Sequence, residues 1–117
     1  MTQQTKTTYY SRYGVTKQRG NCYAVAKDGL VGFYSYGTVI GFISRNKEAY
    51  FRGDRFSNTT TRHVYSLKRH ACANAPIKHE NLSSEEFWEA MFKEGVIDCF
   101  DYRSHCYDRN PFDKERW

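Results

Sequence analysis

The sequence predicts an α+β domain in which an antiparallel β-meander sheet is packed on one face by two helices and followed by a C-terminal strand. Short β-prone runs separated by turn pairs fill residues 20–56. The apolar spacing then becomes helical over 57–71, and a capping pattern begins a second helix over 83–95. Strands followed by helices are typical of this class, and 117 residues suit a single domain.

The first nineteen residues read as a basic polar arm. They contain four basic residues, no acidic residue and several interleaved tyrosines. We expect this arm either to be partly disordered or to add an edge strand to the sheet.

The meander over 20–56 is marked by its turns. Asp28-Gly29 is a strong hairpin signal, because glycine tolerates the positive φ that a type I′ turn requires. Asn46-Lys47 is a second candidate turn, and the β-branched run between these two pairs predicts a central strand.

Local capping residues define the two helices. Ser57, Asn58 and Thr59 are N-cap candidates before an apolar stripe at helical spacing, and Ser83 with Glu86 has the spacing of a capping box. Gly95 is placed to end the second helix. A last strand is predicted over 96–102, and residues 107–117 read as a polar tail.

No apolar run approaches the length of a membrane span, and the N-terminus lacks the apolar stretch of a signal peptide. We therefore expect a protein of the cytoplasm of the cell that makes it, with reduced cysteines and without a membrane partner. We expect it to be a monomer or a small homo-oligomer.

Charge is distributed unevenly along the chain. Residues 45–70 carry seven basic and two acidic residues, whereas residues 71–117 carry six basic and ten acidic residues. This division predicts one positive and one negative surface, and two ordinary solvated faces are the alternative. The residues predicted to contact a partner are Arg45, Arg52, Arg55, Arg62, Lys68, Arg69, Glu85, Glu89, Asp98 and Asp101.

Four cysteines and four histidines suggest a structural zinc site, since zinc prefers thiolate and imidazole ligands. The spacing differs from the usual two close pairs, so buried cysteines and surface histidines are the alternative. The candidate ligands are Cys72, Cys99, Cys106, His70 and His105.

Catalytic patterns are sparse. The chain has no Gly-x-Ser-x-Gly elbow and no glycine-rich phosphate loop. Asp98, Asp101 and His105 are the residues that a small metal-dependent nuclease would use, but a solvated acidic rim is the favoured interpretation, because charged residues are mostly exposed. We therefore expect a binding protein and no enzyme.

Two segments carry a resemblance. Ser35-Tyr36-Gly37-Thr38, an aromatic at Tyr50, and the run from Phe56 to His63 resemble a pattern of small orphan proteins from phages and prophages of Gram-positive bacteria. Within that group, size and Cys/His content make the chain look most like a type II-A anti-CRISPR protein of the zinc-containing kind.

The family pattern implies a phage or prophage origin and does not imply an activity. The likeness to anti-CRISPR proteins implies an inhibitor that acts in the host cell cytoplasm by docking on a host nucleic-acid-handling protein. The leading hypothesis is binding to the RNA-guided DNA nuclease of a type II CRISPR system, which would block DNA or guide loading. Direct nucleic-acid binding through the basic 45–70 region is the alternative drawn from the residues themselves, because arginine grips phosphates and exposed aromatics stack on bases.

Overall fold

The computed structural model describes residues 6–97 and Phe112. These residues form a seven-stranded mixed sheet and two α-helices, which confirms the α+β class and the mainly antiparallel sheet. The strands are β1 (Lys6–Ser11), β2 (Gly14–Thr16), β3 (Cys22–Lys27), β4 (Leu30–Ser35), β5 (Thr38–Ile43), β6 (Ala49–Arg52) and β7 (Ile77–Leu82). The helices are α1 (Asn58–Ser66), which continues as a π-helical turn over Leu67–Ala71, and α2 (Ser84–Lys93).

The sheet has the order β2-β1-β3-β4-β5-β6-β7. Neighbours from β2 to β6 pair antiparallel, and β7 pairs parallel to β6. The N-terminal arm therefore adds strands, since β1 pairs with β3 and β2 forms the edge.

The predicted turns form as expected. Asp28 and Gly29 both have positive φ, of 54° and 81°, which is the geometry of a type I′ turn between β3 and β4. Tyr36 and Gly37 repeat it between β4 and β5, with φ of 54° and 82°. Lys47 also has positive φ, and its N–H donates to the Ser44 carbonyl in the turn before β6.

The two helices pack on opposite faces of the sheet, and the expectation that both cover one face is wrong in this respect. Val64 and Leu67 of the α1 segment pack with one buried cluster, whereas Phe87 and Met91 of α2 pack with the other. Because side chains alternate along a strand, neighbouring strand residues enter different clusters and the sheet is buried on both sides.

The face beneath α2 is rich in stacked aromatic rings. Phe42 stacks on Tyr50 at 4.6 Å, and Tyr50 stacks on His79 at 4.1 Å. Phe112 contacts Phe42 and lies directly over Gly32, where a Cβ would overlap its ring. This position therefore requires glycine.

β7 is an element that the sequence pattern did not predict. It follows Pro76 and carries polar residues at its centre, which suit the exposed edge that it occupies. The predicted strand over 96–102 begins at Val96 and Ile97, which are buried in a bend, and its remainder lies outside the described residues, as does the predicted tail except for Phe112.

Within the described part of the chain, no helix has both the length and the apolar character needed to cross a membrane.

Candidate functional site: a basic cleft beside helix α1

A cleft of about 400 Å³ lies between the β1–β2 hairpin and α1. Its walls come from the hairpin, from the start of β3 and from one side of the helix. The lining residues are Tyr10, Ser11, Arg12, Asn21, Cys22, Thr59, Arg62, His63 and Ser66. None of these residues is acidic, and two of them are arginines.

Behind this cleft the two segments of the resemblance meet. The Ser35 hydroxyl, at the end of β4, lies 2.8 Å from Nδ1 of His63 and 3.0 Å from the Thr60 hydroxyl. The ring of Tyr36 packs against the His63 ring with centroids 5.5 Å apart. Ser35 is 1% exposed, so its hydroxyl joins strand and helix and is closed to a substrate.

The start of α1 is rich in threonine and is capped by the serine that precedes it. The Ser57 side chain accepts a hydrogen bond from the Thr60 N–H at 3.2 Å, which confirms the predicted N-cap. Among the threonines at this helix start, the Thr60 hydroxyl bonds to the Ser35 hydroxyl, and Thr59 lines the cleft. Thr61 lines a smaller pocket on the other side of the helix.

Burial controls the protonation of the groups at the cleft floor. It lowers the pKa of His63, which favours the neutral imidazole, and it raises the pKa of the Cys22 thiol to about 11. The Cys22 Sγ–H points to the His63 carbonyl at 3.9 Å. A thiol that stays protonated is a poor nucleophile, so this floor is suited to binding.

The two arginines of the cleft come from different elements. Arg12 lies in the turn between β1 and β2, and Arg62 lies on α1. Both are exposed, and neither makes an ion pair within residues 6–97. The Arg12 guanidinium lies 4.9 Å from the centre of the Tyr13 ring. These cations are available to an anionic ligand.

Some of the predicted basic contact residues are exposed, and others are engaged in contacts within the protein. Arg55, Arg62 and Arg69 are exposed on or near the α1 segment. Lys68 is paired with Glu80 at 2.8 Å. Arg45 is exposed at the far hairpin, where its Nε–H donates to the Asp28 carbonyl at 3.2 Å.

Arg52 has a structural role. It donates to the Val39 carbonyl at 3.0 Å and to the Ser84 hydroxyl at 2.8 Å, and it is paired with Asp54. Its side chain is 12% exposed, so it ties the start of α2 to the sheet and is closed to a partner.

The predicted acidic contacts lie on the other side of the molecule. Glu85 and Glu89 are exposed on α2, across the sheet from α1. Asp98 and Asp101 lie outside the described residues, so the acidic group proposed for a nuclease is not assembled from residues that the structure describes.

The zinc hypothesis stays a prediction. Cys72 is buried beside the α1 segment and His70 is half-buried in the π-helical turn, whereas Cys99, His105 and Cys106 lie outside the described residues. Among residues 6–97, no three or more histidine, cysteine or acidic side chains are grouped as metal ligands. Metal analysis of the purified protein tests this prediction.

Sequence reasoning missed the hairpin side of the cleft. Tyr10, Arg12 and Cys22 were not among the predicted contact residues, although the whole run from residue 1 to residue 27 contains no acid. That acid-free run could have indicated an anion-binding surface, but only the fold shows that it packs beside α1.

Comparisons with known proteins give a family without an activity. No curated protein and no solved structure matches the chain significantly. A family model described as "Family of unknown function (DUF8033)" matches residues 1–87, a stretch that includes every residue lining the cleft. The match covers most of the chain, and the protein therefore belongs to the DUF8033 family.

Proposed function

We propose that this protein is a binding protein that holds a nucleic-acid strand against the surface formed by α1 and the β1–β2 hairpin, which we call the α1 face. The observation that carries the proposal is the pair Arg12 and Arg62, which line one acid-free cleft without ion-pair partners among the described residues. Arginine forks bind phosphate oxygens bidentately, and such contacts supply most non-specific affinity for nucleic acids.

The charge around the cleft supports the same proposal. Residues 55–79 contain five basic residues and no acidic one, and the hairpin segment 6–27 is also free of acid. Arg55, which precedes α1, and Arg69, in the π-helical turn that follows it, are exposed outside the cleft and add positive charge near the helix. A phosphate backbone crossing this face would therefore meet several cations and no carboxylate on these segments.

Exposed tyrosines add a second type of contact. Tyr13, Tyr36 and Tyr65 are 82%, 57% and 67% exposed, and they belong to the β1–β2 turn, the β4–β5 turn and α1. An exposed ring stacks on any base and contributes about 1–3 kcal/mol per base in proteins that bind single strands. The combination of arginine and tyrosine favours a single strand over a duplex.

The test is fluorescence anisotropy with labelled single-stranded DNA and RNA over a series of salt concentrations. We expect log Kd to rise linearly with log salt, with a slope of about 0.7 per phosphate contacted. The double variant Arg62→Gln/Arg69→Gln should weaken binding and reduce that slope. Lys93→Gln, which removes an exposed cation from α2, is the matched control and should bind as the unaltered protein does. Absence of binding at low salt would overturn the proposal.

A second candidate is the phage-encoded inhibitor of an RNA-guided nuclease. The observation that favours it is the acidic α2, where the exposed Glu85 and Glu89 lie across the sheet from the basic α1. A row of carboxylates can substitute for DNA phosphates in a basic channel of the nuclease.

Charge reversal separates the two candidates. In a cleavage assay with a type II RNA-guided nuclease, Glu85→Lys/Glu89→Lys should abolish inhibition if α2 replaces the DNA. Arg62→Glu/Arg69→Glu should leave that inhibition intact. Loss of inhibition with only the α1 pair would eliminate phosphate mimicry.

A further inference from the structure

The cleft beside α1 is a defined pocket within the wider basic surface. Its volume of about 400 Å³ lies in the range of small-ligand sites and accommodates a group about as large as one nucleotide. Arg69 and Arg55 are not among its lining residues, so Arg12 and Arg62 form its cationic walls.

The floor of the cleft offers directed polar groups. Ser35 holds Nδ1 of His63 at 2.8 Å and is itself held by Thr60, so the imidazole orientation is set from behind. Nε2 of His63 makes no hydrogen bond within the described residues and is not among their buried unpartnered atoms. The hydroxyls of Thr59 and Ser66 also line the cleft.

The charge of the cleft matches a dianion better than a monoanion. Among the described residues that line the cleft, two arginines supply two positive charges and none supplies a negative one. An internal phosphodiester carries a single negative charge, whereas a phosphate monoester carries about −1.5 to −2 at neutral pH and has three strong acceptor oxygens. Three acceptors suit two guanidinium forks and one imidazole.

We propose that this cleft binds a phosphate monoester, and that its ligand is the 5′-phosphate at the end of a nucleic-acid strand. The inference rests on the proposed function, because it states which part of the strand enters the cleft. Arg12 and Arg62 grip the terminal phosphate from two sides, His63 contacts it from the floor, and the remaining strand follows the α1 face. No bond is made or broken in this step.

The experiment compares two oligonucleotides of one sequence, one with a 5′-phosphate and one with a 5′-hydroxyl. We expect the phosphorylated strand to bind about tenfold more tightly, because its terminal phosphate adds a few charge-assisted hydrogen bonds. Arg12→Gln and Arg62→Gln should each reduce this ratio. Arg69→Gln is the matched control, since it lies outside the cleft and should weaken both strands equally while leaving the ratio unchanged.

Each outcome separates the inference from the proposed function. Equal binding of the two strands overturns the inference and leaves strand binding in place. A third result is saturable binding of adenosine 5′-monophosphate, no binding of adenosine and no binding of either strand. This result retains the phosphate-monoester site and shows that its ligand is not the end of a strand. Binding of a phosphotyrosine peptide alone, with no nucleotide or strand bound, retains a monoester site but overturns both its assignment to a 5′-phosphate and the proposed strand binding.

Discussion

Ser35 shows how a single hydroxyl fixes the cleft. It is buried and serves both Thr60 and Nδ1 of His63, so it holds the first turn of α1 against the end of β4. Deleting one partner of a buried pair leaves the other unsatisfied, which costs more than the hydrogen bond itself contributes.

Ser35→Ala should therefore lower the free energy of unfolding by about 1–3 kcal/mol, measured by urea denaturation. The control is Thr38→Ala, which removes an exposed hydroxyl from the same hairpin and should change stability by less than about 0.5 kcal/mol. Equal stability of the two variants would contradict the role given to Ser35.

Only part of the site could be predicted at the residue scale. Arg62 and the Ser57 cap belong to a predicted helix, and the structure forms that helix with Ser57 as its N-cap and Arg62 beside the cleft. Arg12 and Cys22 become cleft residues only because β1 pairs with β3 beside α1. Contacts between segments more than 40 residues apart leave no local pattern in a single sequence.

At the scale of elements, α2 is stabilised at its first turn by a complete capping box. The Ser83 side chain accepts from the Glu86 N–H, and the Glu86 carboxylate accepts from the Ser83 N–H, each at 3.1 Å. These bonds also lower the pKa of Glu86.

Ser83→Ala should reduce the free energy of unfolding by about 1 kcal/mol, because both the cap and its reciprocal bond are weakened. Ser83→Thr retains the accepting oxygen and should differ little from the unaltered protein. Thermal and urea unfolding measure both effects, and an unaffected alanine variant would show that the cap contributes nothing to stability.

The parallel junction of β6 and β7 depends on a close backbone approach. The Gly53 N–H donates to the Leu82 carbonyl at 2.7 Å, and a Cβ at residue 53 would overlap the backbone of Asn81. Gly53→Ala should therefore cost about 1–3 kcal/mol, the usual range for overpacking. Gly20→Ala is the control, since nothing lies within 4 Å of its added Cβ. Matching unfolding midpoints for these variants would contradict the contact.

The elements that could be predicted are determined by residues close to them in the sequence. The Asp28-Gly29 turn and the Ser83 cap are local, and both helices were placed correctly from such signals. β7 was missed because its pairing with β6 is set by the α1 crossover, and its polar centre matches no buried-strand pattern. Likewise, an amphipathic helix does not encode which face of a sheet it will cover.

At the scale of the whole molecule, two buried thiols make stability sensitive to alkali. Burial raises the pKa of Cys22 to about 11 and that of Cys72 to about 12, whereas an unperturbed thiol ionises near pH 9. Above that pH the unfolded chain releases protons that the folded chain retains, so ionisation favours the unfolded state.

The unfolding free energy should therefore be fully retained below about pH 8 and should fall as the pH rises toward 11. Urea midpoints at about pH 8 and about pH 10 measure the loss. The double variant Cys22→Ala/Cys72→Ala, although less stable at both values, should show a smaller loss between them. An unchanged pH dependence in that variant would assign the effect to other groups.

The placement of α1 and α2 on opposite sides of the sheet also affects how the protein meets a partner. The exposed Arg62 lies on α1, and the exposed Glu85, Glu86 and Glu89 lie on α2, so the two helices carry opposite charge on opposite faces of the sheet. The field of a polyanion exerts a torque on such a charge separation and turns α1 toward the polyanion during diffusion. For the proposed strand binding, the carboxylates of α2 would repel an approach in the wrong orientation, so the protein would reach a strand with α1 already facing it.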